Sequence, residues 1–86
     1  MATDPNAPKA RQKVVVFNRL KLTGNKNIKC LSDQMPTYLD KGTIGQIFKV
    51  VPNKYIDVAL HWYDKRKFDL SLRVSTGVWG EFFRRK

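Results

Sequence analysis

Lysine and arginine are the residues of this chain best placed to do chemistry, because they far outnumber the acids. The sequence contains 17 Lys and Arg against seven Asp and Glu, which gives a formal net charge of +10. A field of this strength attracts polyanions and is screened by salt. A small domain ordinarily carries a net charge of roughly 2–8 in magnitude. The excess therefore favours binding of a polyanion or an acidic partner over a role in solubility alone.

The basic residues are grouped along the chain, and aromatic residues are interleaved with them. A Lys-Arg-Lys group occupies residues 65–67, and an Arg-Arg-Lys group ends the chain at residues 84–86. Exposed rings beside cations stack on unpaired bases or anchor protein partners. The candidate nucleic-acid-binding residues are Lys49, Lys54, Tyr63, Lys65, Arg66, Lys67, Arg73, Trp79, Arg84, Arg85 and Lys86.

The sequence contains no recognisable set of catalytic residues. His61 is the only histidine, so a Ser-His-Asp arrangement would have to be built around it. Asp57, four residues earlier, could orient it, but no serine lies in a nucleophile motif. The glycines at residues 42 and 45 do not open a helix, as a phosphate-cradling loop requires. We therefore predict that the protein is not an enzyme and has no catalytic residues.

Metal, cofactor and membrane roles also lack their usual residues. Cys30 is the only cysteine, so it has no partner for an internal disulfide, and with His61 it supplies too few ligands for structural zinc. The apolar runs are far shorter than the roughly 20 residues of a membrane span, and no signal peptide is visible. We predict no metal, no cofactor, no membrane contact and a cytoplasmic location, and the oligomeric state stays open.

The apolar residues that must position these cations alternate with polar ones, which predicts β-strands. In residues 55–63, Ile56, Val58, Leu60 and Trp62 alternate with polar or small residues, so one face is buried. Residues 68–75 repeat the pattern, with Phe68 as the first core position. The polar residues 64–67 lie between the two runs. The pair therefore predicts an antiparallel hairpin.

The rest of the chain adds further strands and no amphipathic helix. β-Branched and aromatic residues predict strands at 13–17, 43–51 and 78–83, with a short returning strand at 28–30. The polar segment 32–41 is predicted to be a long loop with room for a helical turn. These elements predict an all-β fold, a small five-stranded antiparallel barrel over residues 13–86, preceded by a disordered basic tail at residues 1–12.

One stretch of the sequence resembles a known family. Residues 41–50, Lys-Gly-Thr-Ile-Gly-Gln-Ile-Phe-Lys-Val, and residues 56–62, Ile-Asp-Val-Ala-Leu-His-Trp, resemble a Src-homology-3-like small barrel. They are similar to KOW-type modules of ribosomal proteins and transcription factors, and equally to the basic barrel of the photosystem I subunit that docks ferredoxin. The resemblance implies a barrel that serves as a binding platform, for either nucleic acid or protein.

Two functions are therefore open. The favoured one is a basic nucleic-acid-binding module, for DNA or RNA, that contacts the backbone within a transcription or translation assembly. Its argument is that basic clusters near both termini and at a hairpin tip suit an extended polyanion. The alternative is a non-enzymatic docking or inhibitory adaptor that binds an acidic protein, with charge setting the association rate.

Overall fold

The structure, a computed structural model, describes residues 8–86 and contains mainly β-strands. The elements in chain order are β1 (Lys13–Val16), β2 (Leu20–Lys21), β3 (Ile28–Cys30), β4 (Tyr38–Leu39), β5 (Ile44–Val51), β6 (Tyr55–Leu60), β7 (Leu70–Ser75), α1 (Thr76–Phe82) and β8 (Phe83–Arg85). The all-β class predicted from the sequence is therefore correct, with one short helix as the exception.

The strands β5, β6 and β7 form an antiparallel meander at the centre of the main sheet. The full order of this sheet is β3-β7-β6-β5-β1-β8, and β2 pairs with β4 in a separate two-stranded sheet. The predicted hairpin between β6 and β7 is confirmed, with Ile56 opposite Val74 and Leu60 opposite Leu70. The alternation of apolar residues thus fixed the correct register in the middle of the fold.

The prediction of five strands is wrong, because the main sheet has six. The sixth is β3, the short returning strand, which pairs with β7 through Ile28 and Val74. The sheet is also open: β3 and β8 lie at its two ends, and no further strand from residues 8–86 pairs with the outer side of either. The strands β3 and β8 are therefore not hydrogen-bonded to each other, and the sheet does not close into a barrel.

Strand β5 has an irregular pairing with β6 near its middle and a very close approach to β6 near its start. The register with β6 shifts between Ile47 and Lys49, which marks a β-bulge. At Gly45, a Cβ atom would lie 2.6 Å from Leu60 Cδ2 and 2.7 Å from the carbonyl oxygen of Ala59. Only glycine lets the two strands come so close.

The segment predicted as a last strand at 78–83 is instead the helix α1 followed by β8. Trp79 and Phe83, four residues apart, stack with ring centroids 4.1 Å apart, and Phe82 also packs against the core. Trp79 and Phe82 are three residues apart and share one face of α1, and Phe83 follows as the first residue of β8. Gly77 and Gly80, which are poor helix formers, obscured this spacing in the sequence.

The core lies against one face of the main sheet. Ile56, Val58 and Leu60 of β6, and Leu70, Leu72 and Val74 of β7, are all fully buried, as the alternation predicts. The pattern fails beyond the strand ends, because β6 stops at residue 60 and β7 starts at residue 70. The connection therefore spans residues 61–69 and is longer than predicted. Phe68, predicted to be core, is 46% exposed within it.

Part of the predicted disordered tail is ordered. The backbone N–H of Arg11 donates to the carbonyl of Ile47, and the N–H of Ile47 donates to the carbonyl of Gln12. Gln46 Nε2 also donates to the carbonyl of Arg11. Arg11 and Gln12 thus bond to β5 directly before β1 begins. Residues 1–7 of the predicted tail lie outside the described residues.

Candidate nucleic-acid interface

The sheet presents cations on the face opposite the core. Directly paired residues share a face of a sheet, so the register assigns one outward-facing cation to each strand of the main sheet except β6. These residues are Lys13 on β1, Lys29 on β3, Lys49 on β5, Arg73 on β7 and Arg84 on β8. Strand β6 contributes Asp57 instead. The outer face is therefore predominantly basic.

Four of the outward residues form a line across adjacent strands, which we call the charged row: Lys29, Arg73, Asp57 and Lys49. With neighbouring strands about 4.8 Å apart, the row spans roughly 14 Å. Arg73 Nε donates to Asp57 Oδ1 at 3.0 Å, and Nη2 donates to Oδ2 at 3.3 Å. The Tyr55 ring lies beside the row, with its centroid 4.0 Å from Arg73 Cζ and 5.8 Å from Lys49 Nζ.

Arg73 forms an ion pair with Asp57. Asp57 is only 2% exposed, so its carboxylate depends on Arg73 for compensation. The hydrogen bond to Asp57 raises the pKa of Arg73 above its ordinary value, although partial burial acts in the opposite direction. Arg73 therefore stays charged and paired. Arg73, which the sequence suggested as a phosphate-binding residue, instead binds the buried carboxylate of Asp57.

A second basic feature lies where β5 begins and the β6–β7 connection ends. It is a cavity of about 840 Å³, which we call the basic groove, and its lining includes Lys13, Lys41, Lys65 and Lys86. Among residues 8–86, Asp40 is the one acid that lines it. None of these lysines forms an ion pair with any residue from 8 to 86. The lysines of the groove are therefore available to an anion.

An aromatic pair forms part of the groove wall. The rings of His61 and Phe68 stack with centroids 4.3 Å apart at an interplanar angle of 26°, and both residues line the groove. His61 Nδ1 donates to the carbonyl oxygen of Lys67 at 2.6 Å. Since a carbonyl oxygen only accepts, Nδ1 must carry the hydrogen. The sequence suggested that Asp57 could orient His61, but the partner of His61 is the carbonyl oxygen of Lys67.

A single carboxylate holds the connection between β6 and β7 in place. Asp69 accepts hydrogen bonds from the backbone N–H groups of Trp62 and Tyr63 at 2.7 Å and of Asp64 at 2.8 Å. Burial alone would raise the pKa of Asp69, but these N–H groups lower it below its usual value. The ionised carboxylate therefore fixes the loop that carries Lys65 into the groove.

The same loop borders a second cleft of opposite charge. This acidic cleft has a volume of about 760 Å³, and Asp33, Asp64 and Asp69 line it together with Lys67. The predicted cluster 65–67 is thus divided. Lys65 lines the basic groove, Lys67 lines the acidic cleft, and Arg66 Nε lies 3.6 Å from Asp64 Oδ1 with its side chain 93% exposed.

The other predicted residues do not join the groove. Trp79 is only 7% exposed, so the prediction that it stacks on bases is wrong. Arg84 lies over the Phe17 ring and donates to the carbonyl oxygens of Gly80 and Phe83, at the end of α1. Lys54 is exposed in the β5–β6 turn, at the opposite end of β6 from Lys65.

Two predicted residues keep exposed positions without a role in the groove. Tyr63 is 88% exposed in the β6–β7 connection, and it lines the acidic cleft. Arg85 is exposed on β8, next to Lys86. The groove therefore brings together only two of the predicted residues, Lys65 and Lys86.

The candidate residues taken from the sequence did not include Lys13, Lys41, His61 or Phe68, all of which line the groove. Phe68 fitted the alternation of the following strand and was assigned to the core, because no local signal shows that β7 begins two residues later. The same alternation placed His61 within a strand, whereas β6 ends at Leu60. Lys41 precedes Gly42, whose positive φ of 96° marks the turn that enters β5. That turn was the one available signal.

The chain matches no protein-family model, no curated protein and no solved structure. Within residues 8–86, no three His, Cys, Asp or Glu side chains lie together so that they could hold a metal ion. No helix in the described part of the chain has the length and apolar character needed to span a membrane. The argument for function therefore depends on the geometry of the basic groove.

Proposed function

We propose that this protein is a non-enzymatic nucleic-acid-binding module whose basic groove takes the phosphate backbone. The observation that carries the proposal is the set of four lysines lining one cavity without an ion-pair partner among residues 8–86. Ammonium groups bind phosphates as point charges and release counterions from the nucleic acid. DNA and RNA backbones both satisfy this chemistry.

The charge distribution favours approach from one side. The acidic cleft repels a polyanion, whereas the groove adjoins the basic outer face through Lys13 and Gln46, which pair on β1 and β5. Lys49 lies further along β5 and extends the positive surface away from the groove. An extended backbone that leaves the groove along this face meets cations and no unpaired acid of the charged row.

We further propose that the fold is a half-closed barrel of the Src-homology-3-like type. The meander of β5, β6 and β7, the position of β1 between β5 and β8, and the short helix before β8 support this assignment. The bulge in β5 and the contact at Gly45 supply the bend. A cytoplasmic location belongs to the same proposal.

The proposal is tested by fluorescence anisotropy with labelled DNA and RNA oligonucleotides at increasing salt. If the four lysines each neutralise one phosphate, the slope of log affinity against log salt is about −3 to −4. The double variant Lys65→Glu/Lys86→Glu should abolish binding at moderate salt. The control is Lys21→Glu/Lys26→Glu, which reverses two exposed lysines outside the groove.

Both double variants lower the formal net charge from +10 to +6, since each reversal removes two units. A general field effect would therefore weaken binding equally in both. Equal losses would contradict a role for the groove. Absence of binding to DNA and RNA at low salt would contradict the function itself.

A docking adaptor for an acidic protein remains the second candidate, and one observation favours it. Tyr63 and Arg66 are both highly exposed in the β6–β7 connection, and aromatic and arginine residues are common anchors at protein interfaces. Capture of one acidic protein from nuclease-treated lysate, with slower association after residues 65–67 are reversed to acids, would support this function.

A further inference from the structure

We infer that the basic groove binds single-stranded nucleic acid and that one unpaired base stacks on the Phe68 ring. This inference rests on the proposed function and names its substrate class and its base-contacting residue. The backbone phosphates would lie on Lys13, Lys41, Lys65 and Lys86, which line the same cavity as the ring. The groove thus offers lysines for the phosphate of a nucleotide and an aromatic ring for its base.

The Phe68 ring is held in position for such a contact. It is 46% exposed although it lies in a groove wall. His61 stacks on one of its faces with centroids 4.3 Å apart, which leaves the other face as the one a base could use. The hydrogen bond from His61 to Lys67 fixes the supporting ring. A ring fixed in advance loses little conformational entropy when a base stacks on it.

The other exposed rings are less suited. Among residues 8–86, the strongly exposed aromatics are Tyr38, Phe48, Tyr63 and Phe68, and only Phe68 lines the basic groove. Arg19 covers the Tyr38 ring, with Cζ 4.0 Å from its centroid. Tyr63 borders the acidic cleft, where phosphates are repelled. Phe48 lies at the bulge of β5.

Stacking on Phe68 requires a single strand. In a duplex, each internal base is already stacked on both faces, so its ring is inaccessible until it is flipped out at a cost of a few kcal/mol. An unpaired base has a free face, and every base can use it. The groove should therefore prefer single strands without a marked preference for base sequence.

The test uses the full chain and a single-stranded oligonucleotide that carries one 2-aminopurine. Stacking on Phe68 should quench the probe. Phe68→Leu, which keeps an apolar side chain but removes the ring, should abolish the quenching and weaken single-strand affinity roughly 5- to 100-fold. Phe68→Tyr keeps the ring and should retain both. The matched control is Phe48→Leu, which removes a ring of similar exposure, 49%, outside the groove.

The outcomes separate this inference from the proposed function. Steep salt dependence with equal affinity of wild type and Phe68→Leu would overturn the stacking site and leave backbone binding intact. Duplex of the same sequence bound as tightly as single strand would also overturn it. If neither single strands nor duplexes bind at low salt, the proposed function fails, and the inference fails with it. Circular dichroism of each variant confirms that the fold is retained.

Discussion

The charged row and the basic groove both place cations beside an aromatic ring, but they differ in where the nearby acid is engaged. In the charged row, the carboxylate of Asp57 binds the side chain of Arg73 directly. In the loop that carries Lys65 into the groove, the carboxylate of Asp69 lines the acidic cleft and accepts hydrogen bonds from backbone N–H groups. The first acid neutralises a cation, and the second leaves the cations free.

This difference explains why a count of basic residues is a poor guide to a binding surface. Arg73 and Lys65 look equivalent in the sequence, and both were predicted to contact phosphate. The structure gives Arg73 a buried acid partner and gives Lys65 none among residues 8–86. The comparison therefore predicts that removing a cation affects stability in the charged row and binding in the groove.

The largest effect is expected when the charged row is broken. Arg73→Gln leaves the buried carboxylate of Asp57 without its cation, and we expect the unfolding midpoint to fall by roughly 10 °C or more. Thermal unfolding followed by circular dichroism measures this shift. The double variant Asp57→Asn/Arg73→Gln, which removes both charges, should recover at least about half of the loss. A midpoint unchanged in Arg73→Gln would show that the pair has no structural role.

A smaller effect is expected at the loop. Asp69→Asn removes the ionised acceptor of three N–H groups, and we expect a loss of about 1 kcal/mol at pH 7 because the site is partly exposed. Urea unfolding measures it. Asp33→Asn removes the same charge from the same acidic cleft, and it should change stability by less than half as much.

The pH dependence sharpens this prediction. The pKa of Asp69 is lowered from its ordinary value of 3.8, so the folded state favours the ionised form. Its contribution is therefore complete above the ordinary value and is lost as the pH falls through the lower value of the folded state. The difference in stability between wild type and Asp69→Asn should narrow as the pH is lowered from about 5 to about 2.5. A difference that stays constant would contradict this sign.

The smallest effect is expected from the lysines of the groove. Lys65→Gln and Lys86→Gln should change the free energy of unfolding by no more than about 0.5 kcal/mol, because neither lysine has an ion-pair partner among residues 8–86. Lys49→Gln, which removes a cation 5.8 Å from the Tyr55 centroid, should cost about 0.5 kcal/mol. Urea unfolding of the three variants, at low and high salt, checks this order. A large loss of stability in Lys65→Gln would contradict the proposed difference between the groove and the charged row.

The centre of the fold was predictable because burial there follows a strict alternation. Ile56 to Leu60, paired with Leu70 to Val74, can occupy a sheet in only one register without exposing the whole apolar set. The same rule failed at Phe68 and Trp79, where the chain has left the strand. At those positions the period changes, and a single aromatic residue does not reveal the change.

The candidate site was predictable only in its chemistry. The charge excess indicated a basic surface, but the groove is assembled from four separate parts of the chain, at residues 13, 41, 65 and 86. Their proximity depends on the pairing of β1 with both β5 and β8, which is long-range information. The partners of Arg73 and Asp69 depend on the same pairing and on loop geometry, and no local pattern encodes them.

The open sheet has a consequence for how copies of this protein meet one another. Each rim of an open sheet is a template on which another strand can add. The rim formed by β8 carries Arg84 and Arg85, with Lys86 directly after it, so two such rims repel each other in free solution. The rim formed by β8 is thereby protected against edge-to-edge aggregation with the same rim of another copy.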